Sequence, residues 1–263
     1  MARFCSLFSS SSGNSTYLGT ASSGILIDAG VSSRRLCAAL KSRDIEPEEL
    51  SAIFVTHPHS DHINGIRVFA SKFGIPVFCT EGTAAELEAA DVLTEKFKLN
   101  IIPTDGVEIG NMLIKSFPIP HDTAQPCGYT VTFPDERRAA VATDTGHMTS
   151  VVLNEMKKCD LVMMESNHDI GMLQNGLYPY ELKKRILSPT GHLCNEDCAA
   201  AAVELVKSGV TRLFLGHLSG ENNIPALAFE TTRSALTLAG ASLDSDYTLS
   251  VNKKENDGGI VAF

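Results

Sequence analysis

The stretch "FVTHPHSDHINGI", residues 54–66, places three histidines and an aspartate within six positions, directly after an apolar run. The whole chain has only eight histidines in 263 residues. Three of them, His57, His59 and His62, stand here with Asp61, and this density is the mark of a metal-binding turn. The preceding "AIFVT" reads as a buried strand ending at His57. The following "DHINGIRVFASKFG" has Ile63, Ile66, Phe69 and Ala70 at helical spacing and closes on Gly74, so one helix is expected from Asp61 to Gly74. On a strand-to-helix turn, His57 and His59 lie two apart and face the same side, within reach of one ion. Asp61 and His62 enter the helix and point to a second position nearby.

Reading outward, strands are expected at 2–8, 15–20 and 24–28, separated by the serine-rich "SSSSGNS" and a tight turn. A helix follows at 32–43. After the histidine turn come a strand near 76–79, a helix near 81–90, and short strands from 100 to 143 with a hairpin at 135–138. Helices are expected around 149–157, 178–187, 195–207 and 224–236, with strands at 160–165 and 211–215 between them. Mixed strands with helices outside, in two similar halves, point to an α/β four-layer αβ/βα sandwich formed by a single domain over 1–263.

The composition narrows the possibilities. With 43% hydrophobic and 20% charged residues the chain has the make-up of a folded globular protein. Its longest apolar runs are far shorter than the roughly 18 residues of a membrane span, and no basic-then-apolar leader is visible, so a cytoplasmic protein without membrane partners is expected. Seven cysteines with no Cys-x-x-Cys pair read as reduced, mostly buried side chains, and no metal is expected at Cys194 and Cys198. A net charge of −9 argues against broad adhesion to a polyanion. It leaves room for a nucleic-acid end held through metal ions, whose charge would sit where the phosphate lies.

The other histidines fall in loops after apolar strands: His121 after "IKSFPIP", His147 in "VATDTGH", His168 in "MMESNHD", His192 in "SPTGH" and His217 in "LFLGH". Asp144 in "ATDTG" ends a strand with the group suited to bridging two cations. Any one of these alone is an ordinary polar residue. Their shared placement at strand ends makes them candidates.

"THPHSDH", "PIPH", "ATDTG" and "LGH" together resemble the metallo-β-lactamase superfamily, whose fold is the αβ/βα sandwich. "SLFSSSSGNSTYL", "ESNHD" and "SPTGHLCN" resemble its nuclease-like YycJ/WalJ subgroup. The resemblance spans essentially the whole chain. It implies His57, His59 and His121 as ligands of a first metal, Asp61, His62 and His217 of a second, and Asp144 as the bridge. His147, just past Asp144, is expected to support the bridge and is not counted as a ligand. The main zinc β-lactamases carry a cysteine where Asp144 would serve the second metal, so antibiotic hydrolysis is not expected. The interval from Asp144 to His217 is filled by expected helices and strands and has no room for the large inserted domain of β-CASP nucleases, and no basic arm like that of transfer-RNA 3′ processing enzymes is visible.

Two divalent ions, Zn²⁺ or Mn²⁺, held about 3.5–4 Å apart would lower the pKa of a bridging water toward 7 and supply a hydroxide. Asp61 is expected to orient that water or take its proton. His192, just before the helix expected at 195–207 with Asn195 as N-cap, is the candidate phosphate anchor or general acid at an anion-attracting helix end. His168 is a second candidate acid, with Asn167 beside it. Ser11, Ser12, Gly13 and Asn14 offer hydroxyls and amides for a phosphate cradle. The expected activity is phosphodiester hydrolysis at a DNA or RNA end. The competing readings are a hydrolase of small thioesters, lactones or cyclic phosphates on the same core, and a metal-bound scaffold without turnover.

Overall fold

The computed structural model describes all residues, 1–263. The strands fall into two seven-stranded sheets, and the chain divides into two compact units, each assembled from separated segments. The first unit comprises Met1–Ser116, Thr123–Arg137 and Lys253–Phe263. Its sheet runs β14-β1-β2-β3-β4-β5-β6, with β1 (Arg3–Phe8), β2 (Ser15–Gly19), β3 (Gly24–Ile27), β4 (Leu50–Phe54), β5 (Val77–Cys79), β6 (Leu99–Ile101) and β14 (Val261–Ala262). β1, β2 and β3 pair antiparallel, and β3 to β6 pair parallel. β2 and β3 are buried at every position; β3, Gly-Ile-Leu-Ile, reads as a continuous apolar run because both its faces are covered. This unit also holds β7 (Val107–Ile109), which pairs as a hairpin with β8 (Met112–Pro118), β8 up to Ser116, and β9 (Cys127–Thr132).

Helices α1 (Ser33–Lys41), α3 (Ile66–Phe73) and α4 (Glu81–Ala89) belong to the same unit. Leu36, Ile66 and Phe69 pack with Leu26, Ile53, Val55 and Val77 in one core. Ser32 and Thr80 cap α1 and α4 by accepting from Arg35 N and Thr83 N, which satisfies an otherwise orphaned amide at each helix start. The one helix expected from Asp61 to Gly74 is two: α2 (Ser60–Ile63) and α3, broken at Gly65. Gly65 donates its N–H to Ala29 O, and a Cβ there would lie 2.2 Å from Val31 O. The break lets the strand-end backbone come against the turn.

The second unit comprises Phe117–Asp122 and Arg138–Asn252. Its strands β10 (Arg138–Ala142), β11 (Leu161–Glu165), β12 (Arg212–Gly216) and β13 (Thr248–Val251) are all parallel. α5 (Ser150–Met156), α6 (Ile170–Asn175), α7 (Tyr180–Ile186), α8 (Asn195–Lys207) and α9 (Pro225–Leu238) complete it. Val162, Met164, Leu213 and Leu215 meet Val152, Met156, Ala201, Ala202 and Leu205 in its core. The buried alanines of α8 let its backbone lie close to its neighbours, and α9 packs against it. Cys194 caps α8, its sulfur accepting from Asp197 N. Asn195, the expected cap, is the first helical residue and is buried. In parallel sheets ligands gather at the carboxyl ends of the strands, and the site residues lie there: Asp28 after β3, His57 after β4, Asp144 after β10, Glu165 closing β11 and His217 after β12.

Gly30 links fold to site. Its N–H donates to Asn14 O at 2.8 Å, and a Cβ would lie 1.7 Å from Asp61 O and 2.7 Å from Asn14 N. Gly30→Ala is expected to cost about 3 kcal/mol, the upper range for overpacking. Gly74→Ala, at φ 65° with nothing within 4 Å, should cost only the roughly 1 kcal/mol of left-handed backbone strain. Urea denaturation of the two variants gives the comparison; equal losses would refute the close contact.

Candidate metal and catalytic site

In the first unit the histidine turn is held from behind. Asp28, left-handed at φ 63° and 3% exposed, accepts from Thr56 N and Thr56 Oγ1, each at 2.8 Å, and lies 2.8 Å from His62 Nδ1. Thr56 Oγ1 is also 3.0 Å from His57 Nδ1. Since the hydroxyl gives its proton to Asp28, it accepts from the imidazole, and His57 and His62 both carry hydrogen on Nδ1. Their Nε2 lone pairs therefore face forward. His57 Nε2 lies 3.1 Å from His59 Nδ1, close to the roughly 3.3 Å separating two nitrogens bound to one tetrahedral ion at about 2.0–2.1 Å each. Asp61 Oδ2 is 3.5 Å from His62 Nε2. The carboxylate–imidazole pair behind a prospective ligand is the usual means of fixing its tautomer and raising its basicity.

The serine loop feeds this cluster. Asn14 is buried, with Nδ2 3.0 Å from Ser10 O and 3.0 Å from His62 Nε2, and 3.2 Å from Asp61 Oδ2. The amides of Ser10, Ser12, Gly13 and Asn14 all have acceptors: Asn14 Oδ1, Ser10 Oγ, Ser10 O and Asp61 O. This corrects the expected phosphate cradle. Ser11 and Ser12 are exposed, while Gly13 and Asn14 turn inward and brace the histidine turn.

In the second unit Glu165 has the role of Asp28. Wholly buried, its Oε1 lies 2.8 Å from both His192 Nδ1 and His217 Nδ1, and its Oε2 accepts from Thr145 N and Leu193 N. Burial alone would raise this carboxyl; the charge of His192 and the hydrogen bonds from both imidazoles outweigh it and bring the pKa down to about 2. Burial likewise opposes charge on His192, but the Glu165 carboxylate and Asp144 raise its pKa. Asp144, left-handed at φ 58°, has Oδ1 3.5 Å from His217 Nδ1, 3.6 Å from His192 Nδ1 and 3.9 Å from His121 Nε2. His121 Nδ1 lies 3.2 Å from Gly191 O, so its Nε2 is directed away from the backbone. His217 is also left-handed, φ 55°, and Asn167 Nδ2 donates to its carbonyl at 2.9 Å. Asp144, Glu165, His192 and His217 form a group able to hold a metal ion.

Three expectations change here. Asn167, placed at the cleft from sequence, is 4% exposed and positions His217. His168 is 1% exposed, neither ring nitrogen meets a protein partner, and burial lowers its pKa to about 4; it is a neutral internal residue, unsuited to donating a proton to substrate. His192 does precede α8, but the first turn of that helix already carries Glu196 and Asp197, so no anion-attracting end remains and the partner of His192 is Glu165. His147 is exposed and its Nδ1 lies 2.9 Å from Pro189 O. Asp28 and Glu165 escaped the sequence reading. The one available signal was their position at the last residue of an apolar strand or just after it.

Comparison with known proteins agrees with this architecture. Residues 24–218 match the beta-lactamase superfamily domain. The chain belongs to that superfamily. It is 36% identical over 248 residues to exodeoxyribonuclease WalJ of Streptococcus pneumoniae, covering 93% of this chain and 92% of the relative. It is 38% identical over 228 residues to exodeoxyribonuclease YycJ of Bacillus anthracis, covering 86% and 85%. The crystal structure of the metallo-beta-lactamase fold protein YhfI from Bacillus subtilis aligns over 100% of both chains with a TM-score of 0.72 at 15% identity, which shows the fold. The α/β sandwich expected from the sequence is the fold of this superfamily, and its histidine and carboxylate clusters are suited to metal ions. No helix is long and apolar enough to cross a membrane.

Two measurements follow. Asp28→Asn should weaken metal retention by about 10–100-fold, the usual effect of losing a carboxylate behind a ligand; dialysis against graded chelator reads it, and unchanged retention would refute the role. For His168, the folded pKa of about 4 lies below the ordinary 6.5, so the unfolded chain takes the proton first as pH falls. Stability is therefore intact above pH 6.5 and declines toward pH 4, by on the order of 3 kcal/mol from this group in the metal-free protein. His168→Phe should flatten the fall of Tm across that window, and parallel curves would sink the assignment.

Proposed function

We propose that this protein is a binuclear metal-dependent phosphodiesterase, an exonuclease acting on DNA ends in the cytoplasm. The near full-length likeness to exodeoxyribonucleases supports the substrate class. His57, His59 and His121 are proposed as ligands of one ion, Asp61, His62 and His217 of the other, and Asp144 as the bridge. Nitrogen and oxygen donors without thiolate suit Zn²⁺ or Mn²⁺. Ions bound by these residues would lower the pKa of a shared water toward 7 and offset charge on a non-bridging phosphate oxygen. Asp61 orients the attacking water and takes its proton. His192 holds a proton for the leaving oxygen, on the ring atom opposite the Nδ1 that Glu165 fixes.

The observation that carries the reading is the Glu165–His192 pair. Among the imidazoles beside Asp144, His192 has a 17% exposed side chain, against 1% for His121 and for His217. It is oriented from behind and open in front, as a general acid must be. Metal-loaded protein with end-labelled DNA and with bis(p-nitrophenyl) phosphate tests this. His192→Ala should keep its metal content and slow DNA cleavage by about 10² or more, while the activated ester, whose leaving group needs no proton, suffers far less. Equal losses on both would remove the acid role. Wild-type turnover of thioesters or lactones without DNA cleavage would favour the small-molecule hydrolase.

A further inference from the structure

A chain with a net charge of −9 repels phosphate over most of its surface, so a strand must be gripped where that charge is locally reversed. The segment 170–195 does this. It carries Lys183, Lys184 and Arg185 against Glu181, all four on α7; Arg185 is offset by Asp122, so Lys183 and Lys184 carry the local surplus. Beside them Leu177, between α6 and α7, is 98% exposed, and Tyr180, opening α7, is 75% exposed.

This arm is fixed to the site. Arg185 binds both oxygens of Asp122 at 2.5 and 3.1 Å, and Asp122 adjoins His121. Lys183 Nζ donates to Gln174 O and Gly176 O at 2.8 and 2.7 Å, holding the connector against α7. His192 N donates to Ile186 O at 2.9 Å, and Gly191 lies so close that a Cβ would be 2.2 Å from that oxygen. Lys184 is exposed and, unlike its two neighbours, makes no ion pair or hydrogen bond. α7 spans only about 10 Å, a few nucleotides' reach.

We propose that the α6–α7 arm is the surface that engages single-stranded DNA, with Tyr180 stacking on a base, Leu177 packing against a neighbouring one and Lys184 on a backbone phosphate. This rests on the nuclease reading for the end held at His192. An exposed aromatic beside basic residues is the composition of sequence-tolerant strand binders, whereas protein interfaces are depleted in lysine. The class is DNA by the relatives' activity; the recognising chemistry is base face plus phosphate.

Fluorescence anisotropy of the metal-loaded protein with a labelled thymidine strand of about 20 nucleotides, its ends blocked by phosphorothioates, tests the arm without turnover. Tyr180→Ala should weaken binding about tenfold, on the scale of one lost stacked base, and Tyr180→Phe should restore it. Lys184→Ala should reduce the salt slope of log K by about 0.7, the value for one phosphate on a single strand. Hydrolysis of bis(p-nitrophenyl) phosphate should be unchanged in all three. Wild-type affinity unaltered by Tyr180→Ala and Lys184→Ala would overturn the proposal, as would failure of the wild type to bind the strand. A change of oligomeric mass in Tyr180→Ala without a change in DNA affinity would also overturn it, marking a protein contact instead. If the strand binds through Tyr180 but unblocked DNA is never cleaved, the arm stands and the nuclease reading falls.

Discussion

Every imidazole proposed to act in this protein, except His59, is set by what lies behind it. Asp28 and Glu165 are buried carboxylates, and each fixes more than one side chain: Asp28 holds Thr56 and His62 and, through the threonine hydroxyl, His57; Glu165 holds His192 and His217 together. A buried carboxylate is expensive unless its lone pairs are filled, and here backbone amides and imidazoles fill them. The same bonds settle which ring nitrogen of each histidine bears hydrogen. Side chain orientation and protonation are thus one problem with one solution in each unit.

Much of this was legible in the sequence because it is local. His57 to His62 are contiguous, and an apolar run before them is enough to place them on a turn. The strands and the longer helices could be read from runs and periodicity. The parts that failed depend on partners distant in sequence. Gly65 interrupts a helical pattern because Ala29 and Val31 come against it, which no window around residue 65 contains. Asn14 and the serine loop look like a phosphate cradle until Asp61, 47 residues on, is found to accept the Asn14 amide. Asp28 and Glu165 are two of 31 acidic residues, and only the fold distinguishes them. Cys194 displaced Asn195 as the α8 cap because Asn195 is engaged by Ser166 and Asn223.

The electrostatics of the second unit follow from placing Asp144 and Glu165 around shared imidazoles. Two carboxylates within reach of the same nitrogens tolerate one another only with positive charge between them. The carboxylates favour that charge on His192, and cations would supply more. The cluster is in this sense built for a charge greater than the chain itself provides, in keeping with donors that have no thiolate among them.

Three residues of the site, Asp28, Asp144 and His217, sit in left-handed backbone at strand ends, where side chains other than glycine are strained by about 1–2 kcal/mol. At Asp144 a glycine would relax that strain and remove a charge that Glu165 opposes. If Asp144 bridges the ions as proposed, folding gives this position little guard: its side chain is no part of the apolar core, and a chain that lost the carboxylate would keep that core while losing its chemistry. Sturdiness in such a protein is no sign of competence, and a descendant of this fold could drift into a silent, well-folded relic by a single exchange.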